Sequence, residues 1–358
     1  METEYKDYKE DCPTYDYVPS VIPPVKRIIA MGDIHGDYKL ALAMFRIAKL
    51  IKIKGKKIED IEWVGGETHV VQIGDMIDSK RPNGNNVEIE FSENLDDDGI
   101  IDSDKRIINF FDHVSKKAKE VGGRIIMLDG NHELLNVFGE LSYVSDKGKK
   151  EFEDYIDPKN PDKKFISGEE ARKYAFSVGH EYAEWLGCTH QSSVIIGSNI
   201  FVHAGLVQQF SSQMGNKDYD ISDIVMMNKV LRQWLLGKLH EPHILLGALL
   251  NEKDSPFWSR IFGSIKDSSD EKCYSQLKPV LKSLKVDKMI IGHTPQFLNE
   301  DGINNTCDGT LHRIDFGGSF AFHKYDESFR KVRKIMKHRQ VQVLEILNDN
   351  EFHIITPH

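Results

Sequence analysis

Five short blocks of this 358-residue sequence set glycine beside side chains that hold metals and move protons. They read Gly32-Asp33-Ile34-His35-Gly36, Gly74-Asp75-Met76-Ile77-Asp78, Gly130-Asn131-His132-Glu133, Val202-His203-Ala204-Gly205 and Ile291-Gly292-His293-Thr294-Pro295. Carboxylate, amide and imidazole donors without thiolates suit hard to borderline divalent cations such as Mn, Fe or Zn. Taken singly, each residue has a plainer explanation. Asp33 before a helical stretch would serve as a helix cap, and His35 or His203 alone would be a loop or core histidine. Six metal-type side chains at five strand ends share no structural reason, so together they point to one site.

The elements that must position them follow from periodicity. Residues 25–31 form a mostly apolar strand candidate, and residues 38–51 repeat apolar side chains at Leu40, Ala43, Met44 and Ile47, the spacing of a helix face. The same strand-then-glycine grammar recurs at residues 69–73, 124–128, 200–203 and 288–291. Strands alternating with helical stretches predict an α/β layered domain. In such a sheet the carboxyl ends of the strands converge on one crevice, which would bring the five blocks together. β-type runs at residues 340–347 and 352–356 predict an antiparallel sheet near the end of the sequence.

In order, these blocks resemble the signature of the calcineurin-like metallophosphoesterases, in the phosphoprotein phosphatase branch, whose pattern is GDxHG, GDxxDRG, GNHE, HAG or HGG, and GHT. This chain has GDIHG, GDMIDSK, GNHE, HAGL and GHTPQ between residues 32 and 296. The segment Asp254-Ser255-Pro256-Phe257-Trp258-Ser259-Arg260, with GHTPQ, is more similar to the bacterial-type or Shewanella-like subgroup than to the classical eukaryotic enzymes. The resemblance implies an α/β/β/α sandwich of mixed sheets with helices outside. It also implies two divalent metal ions, one held by Asp33 and His35, the other by Asn131, His203 and His293, with Asp75 bridging. Two ions sharing Asp75 would lower the pKa of a bridging water and supply hydroxide near neutral pH for direct attack on phosphate. His132 matches the family's general acid and Asp78 the carboxylate that orients it.

Two departures bear on substrate. The family carries an arginine after the second Asp of GDxxDRG, and many eukaryotic members carry another before GNHE; both grip phosphate. Here Ser79 and Asp129 stand in those places. Because a guanidinium fork binds phosphate bidentately, a replacement is expected, with Arg260 favoured and Arg81 second. The expected activity is that of a metal-dependent phosphomonoesterase on phosphoproteins or phosphopeptides, serine and threonine phosphates first and tyrosine after them. A dinucleoside polyphosphate or other nucleotide phosphohydrolase is the alternative. An inactive phosphoprotein-binding scaffold is the third, disfavoured because every ligand position and His132 are filled.

Composition sets the frame. With 47 Lys and Arg against 56 Asp and Glu, the net charge is −9, which argues against a nucleic-acid binder. At 40% hydrophobic and 29% charged residues, a globular chain is expected. No apolar run reaches the roughly 18 residues of a membrane span, and the acidic, tyrosine-rich start is unlike a signal peptide; a cytoplasmic protein without membrane partners is expected. Cys12, Cys188, Cys273 and Cys307 are too scattered for a disulfide framework or zinc knuckle, so isolated reduced thiols are predicted. Residues 1–24, with four prolines, are predicted to be an extended or disordered arm on a single catalytic domain of residues 25–357. Residues 79–104 form a polar insertion, and residues 94–105 half resemble a calcium loop but have Lys105 where a bidentate Glu belongs. Residues 147–170 are predicted to be a surface excursion, and the basic run 331–339 a solvated hairpin or strand end. No docking motif identifies a regulatory partner.

Overall fold

The strands that precede the glycine blocks become the centre of two six-stranded mixed sheets. In this computed structural model, residues 2–55, 57–81, 103–239, 243–251, 253–299, 302–322 and 340–357 are described. One sheet runs β14 (Glu351–Ile355), β13 (Val343–Leu347), β2 (Arg27–Met31), β5 (His69–Gln72), β6 (Arg124–Leu128), β7 (His190–Gln191). Within it β2, β5, β6 and β7 are parallel, and β13 lies antiparallel to both β2 and β14. The other runs β1 (Val21–Ile22), β8 (Ser193–Ile196), β9 (Asn199–Val202), β10 (Lys288–Ile291), β12 (Leu311–Arg313), β11 (Asn304–Thr306), with β9, β10 and β12 parallel. A small separate ribbon pairs β3 (Ile51–Ile53) with β4 (Ile61–Trp63). Three neighbouring parallel strands of each sheet, β2, β5 and β6 in one and β9, β10 and β12 in the other, thus carry polar residues at their carboxyl ends. The mixed sheets with flanking helices match the expected fold class.

The helices are α1 (Glu2–Asp11), α2 (Tyr38–Ile47), α3 (Asp104–Lys119), α4 (Asn131–Val137), α5 (Asp146–Lys150), α6 (Gly168–Phe176), α7 (Glu181–Thr189), α8 (Gln208–Gln213), α9 (Ile221–Leu235), α10 (Ile244–Asn251) and α11 (Lys278–Leu284). The cap of α2 is Asp37, whose carboxylate accepts from the Leu40 amide at 2.8 Å, so Asp33 is free for other work. Ser103 caps α3 in the same way, and lysines at positions 116, 117 and 119 complement its dipole. Ile107, Phe110, Phe111 and Val114 line the buried face of α3, which packs on β6. One large hydrophobic core takes in side chains from both sheets, and a small second cluster gathers Tyr8, Cys12 and Cys188. Among the described residues no helix is long and apolar enough to cross a membrane.

Two expectations are corrected. The predicted arm begins with the helix α1, and β1 adds residues 21 and 22 to a sheet. Tyr8 and Cys12 are buried, the Tyr8 hydroxyl donates to the Cys188 carbonyl at 2.6 Å, and Asp11 pairs with Arg232 and Lys238. Those partners lie far along the chain, so the acidic segment has no local sign of its helix. The cysteines are not isolated thiols: Cys12 bonds Cys188 and Cys273 bonds Cys307. Separations of 176 and 34 residues conceal both pairs from any spacing argument. Most of the insertion and all of the basic run 331–339 lie outside the described residues.

Candidate metal centre

Side chains from the ends of β2, β5, β6, β9 and β10 meet in one buried cluster. The connecting backbone is bent to aim them: His35 (φ 48°), Asp75 (φ 51°), Asp78 (φ 73°) and His293 (φ 66°) all adopt the left-handed conformation that non-glycine residues usually avoid. Such strain persists only where the surroundings over-determine it. Here the amides of Ile34 and His35 donate to the Asp75 carbonyl at 3.0 and 2.9 Å. The buried Glu133 carboxylate accepts from the amides of Asp75, Met76 and Gly130 at 2.8–2.9 Å, tying the β5 and β6 loops together.

On one side of the cluster, His203 Nε2 lies 3.1 Å from Asn131 Oδ1, 3.2 Å from His293 Nδ1 and 3.4 Å from Asp75 Oδ1. His203 Nδ1 sits 2.9 Å from the Ile73 carbonyl oxygen, a contact that requires its proton there and leaves Nε2 as a lone pair in the neutral ring. In that form four electron-rich atoms face one another. On the other side, His35 Nε2 is 3.9 Å from Asp33 Oδ2 and 3.8 Å from Asp75 Oδ2, and His132 Nε2 is 3.9 Å from the same Asp75 oxygen. Two sets, His35–Asp75–His132 and Asp75–His203–His293, place donor atoms within 4.8 Å of one another.

The electrostatics fit divalent cations. Burial, with the Arg81 charge, holds His35 well below its ordinary pKa. Burial, His203 and Arg260 do the same for His293, and a neutral imidazole is the form that ligates metal. Burial would raise the Asp75 carboxyl, but the imidazoles of His203, His132 and His35 outweigh it and hold the group well below the usual range. Burial opposes protonation of His203, but the Asp75 charge and hydrogen bond raise its pKa, so Asp75 already draws positive charge to Nε2, the place a cation would take. Asp33 is driven upward by burial and by the charges of Asp315 and Asp75. Like charges crowd one side, and lone pairs converge on the other. Both conditions are relieved by positive charge, which two cations would supply.

Beside the cluster His132 and Asp78 form a pair, His132 Nδ1 to Asp78 Oδ2, at 3.0 Å. The imidazole is held edge-on by His35 and Tyr143, with ring centres 4.9 and 4.8 Å away. Arg81 lays its guanidinium on the Phe322 ring, 4.6 Å from the centre, and donates to the carbonyls of Asp78 and Lys80. Burial lowers its pKa against the pull of Asp75, Asp78, Asp315 and Asp33, so the fork belongs to the cluster's field. Arg260 is exposed and donates to the His293 carbonyl at 3.3 Å. Ser79 is buried, and Asp129 is fully buried with neither carboxylate oxygen bonded.

Three participants escaped the sequence argument. Glu133 lies in the GNHE block, and its task shows only in the fold, where it holds the amides of the β5 and β6 loops. Asp315 follows β12; its Oδ1 accepts from the Gly317 amide at 2.9 Å, its Oδ2 has no partner, and burial with the Asp75 charge pushes its carboxyl up to about 6. Arg172, on α6, is completely buried against Asp78. Gly317 and Gly318 after Asp315 are a weak local sign, since residues 311–314 before it are half polar; no local signal marks Arg172.

A model of the calcineurin-like phosphoesterase family matches residues 26–297. An uncharacterized protein of Acanthamoeba polyphaga mimivirus is 35% identical over 262 residues, covering 69% of this chain and 98% of its own. Shewanella-like protein phosphatase 2 of Arabidopsis thaliana is 28% identical, over 82% of this chain and 72% of its own. The crystal structure of a cold-active protein-tyrosine phosphatase of a psychrophilic Shewanella species superposes with a TM-score of 0.59 at 19% identity, covering 95% of this chain and 83% of that one.

Proposed function

This chain belongs to the calcineurin-like phosphoesterase family, and from that premise we propose that it is a two-metal protein phosphatase acting first on phosphoserine and phosphothreonine. The observation that carries the reading is the convergence of Asp33, His35, Asp75, Asn131, His203 and His293 beside the bonded pair His132–Asp78. Asp33 and His35 would hold one cation, Asn131, His203 and His293 the other, with Asp75 shared. Bound there, the cations would neutralise phosphate charge and acidify the attacking water.

The chain's own groups do the rest. Asp78 fixes the His132 ring with Nδ1 turned away, so Nε2 is the atom that hands a proton to the leaving oxygen. A protonated imidazole suits an alkoxide leaving group of the kind serine and threonine phosphates release. His132 also stands close enough to Asp75 to hold a cation; metal content after His132→Asn separates the two roles. We rank Arg81 above Arg260 as the phosphate clamp, because its fork is braced on Phe322 within the field of the cluster whereas Arg260 is exposed.

The test is hydrolysis by protein loaded with defined Mn²⁺, across phosphoserine, phosphothreonine and phosphotyrosine peptides and diadenosine tetraphosphate. Phosphate release from serine or threonine peptides, lost together with metal content in Asp75→Asn, is the expected result. Preference for the tyrosine peptide would correct the substrate class, and cleavage of the dinucleotide alone would favour a nucleotide phosphohydrolase. Two bound metals without turnover on any substrate would leave only a phosphoprotein-binding role.

A further inference from the structure

Asp78 presents one carboxylate oxygen to His132, and the other has to be held still for that contact to mean anything. We propose that Arg172 is the positioning residue that does this, an inference resting on the reading of His132 as general acid. Arg172 lies on α6, and neither it nor Asp78 has any exposed side-chain surface. Its Nη2 is 3.3 Å from Asp78 Oδ1 and 2.7 Å from Asp104 Oδ2, its Nε donates to Asn136 Oδ1 at 2.8 Å, and its Nη1 to the Gly148 carbonyl at 3.3 Å. Asn136 in turn donates from Nδ2 to the same Asp78 oxygen at 2.9 Å. Asp78 Oδ1 therefore takes two donors and Oδ2 is left for His132 Nδ1.

The rest of the arrangement is stiff. The guanidinium is packed between the rings of Phe152 and Phe176, 5.3 and 5.1 Å from their centres. Asp104, which begins α3, accepts from the Asp78 amide at 3.3 Å. Arg172 thus grips side chains from the β5 loop, α3 and α4 at once, and Asp78 holds its left-handed backbone (φ 73°) inside that grip. A planar fork with its donors in fixed directions can impose this geometry; an ammonium on a flexible stem can do so only in part. The network meets Arg81 through the Asp78 main-chain carbonyl and not through the carboxylate that Arg172 holds, so its loss should appear in proton delivery more than in substrate binding.

The experiment compares Arg172→Gln and Arg172→Lys on two substrates, p-nitrophenyl phosphate, whose leaving group needs little protonation, and a phosphoserine peptide, whose leaving group needs it. Metal content and thermal unfolding are measured in parallel. Expected is a fall in kcat on the phosphopeptide of about tenfold to a hundredfold, the scale of a small misplacement of a reacting group, with a smaller fall on the aryl ester. KM and the two metals should be unchanged, Arg172→Lys should recover part of the loss, and adding Arg172→Gln to His132→Asn should cost nothing further. If Arg172→Gln does not fold, Arg172→Lys, which keeps the buried charge paired, carries the same comparison; failure of both to fold would make the role structural and overturn the proposal. Equal losses on the two substrates, or a full additive loss in the His132→Asn background, would also overturn it. A His132→Asn enzyme that itself lacks leaving-group selectivity would sink the general-acid reading and this inference with it. A selective His132→Asn beside an unselective Arg172 variant would sink this inference alone.

Discussion

Replacing Gly130 with alanine adds one methyl group where the ends of β5, β6 and β9 meet. The backbone there suits alanine, with φ −104° and ψ −178°, so the effect is steric. The added Cβ would overlap the Asp75 carboxylate and amide nitrogen and stand 2.9 Å from Cε1 of His203, where ordinary contact begins at 3.4 Å. Backbone cannot give way cheaply, so the shared carboxylate must shift by about 1 Å, a misplacement that costs a reaction roughly a hundredfold. Overpacking itself costs about 1–3 kcal/mol of stability. Gly123, at the opposite end of β6, is the control, because a methyl group there would press on the Gly66 carbonyl oxygen at 2.5 Å, away from the cluster. Both variants should unfold at lower urea concentration by similar amounts. Only Gly130→Ala should also lose Mn²⁺ affinity in calorimetry and about a hundredfold in kcat/KM on p-nitrophenyl phosphate. A folded Gly130→Ala protein with the parent's Mn²⁺ affinity and turnover would refute the reasoning.

Arg81→Ala should lower kcat/KM on a phosphopeptide by about ten- to a hundredfold, the loss of a hydrogen-bonded charge, and Arg260→Ala by less; the reverse order would transfer the clamp to Arg260. Replacing Cys12 and Cys188 together by serine should lower stability in urea by up to about 5 kcal/mol, because the bond closes a loop spanning 176 positions, and an unchanged midpoint would mean that the pairing contributes nothing. His190 is buried and its pKa is pushed down to about 3 by desolvation, so the folded ring stays neutral while the unfolded one gains a proton below about 6.5. Stability should therefore fall as pH drops from about 6.5 toward 3, by about 2 kcal/mol between pH 7 and 5. His190→Gln should remove that share of the acid sensitivity in urea titrations at the two pH values, and parallel slopes in the two proteins would count against it.

What was legible in the sequence is what is local. Asp33, His35, Asp75, Asn131, His132, His203 and His293 each follow an apolar run closely, so strand grammar and glycine place them at strand ends without knowledge of the pairing. The parallel neighbours in each sheet then bring those ends together. Asp315 departs from that grammar, because Leu311-His312-Arg313-Ile314 before it is half polar; the parallel pairing of β12 with β10 is what brings it to the cluster. Arg172 is different in kind: it follows a charged, proline-containing stretch and meets Asp78 across 94 positions, so only the folded chain connects them. The helix α1 and both disulfides belong with Arg172. Their energies come from contacts at long separation, whereas periodicity reports only which face of a segment is apolar.

The strand that carries Asp33 and His35 has β5 on one side and β13 on the other. Arg27 of β2 bonds Glu345 of β13 across 318 positions. As the chain is synthesised, β5 and β6 can join β2 early, but the opposite edge of β2 keeps its amides and carbonyls unpaired until β13 emerges. Such an open edge invites pairing with the wrong strand, and contacts this distant in sequence form slowly. The sheet beneath the reactive centre is therefore completed by a segment that contributes no reactive group to it.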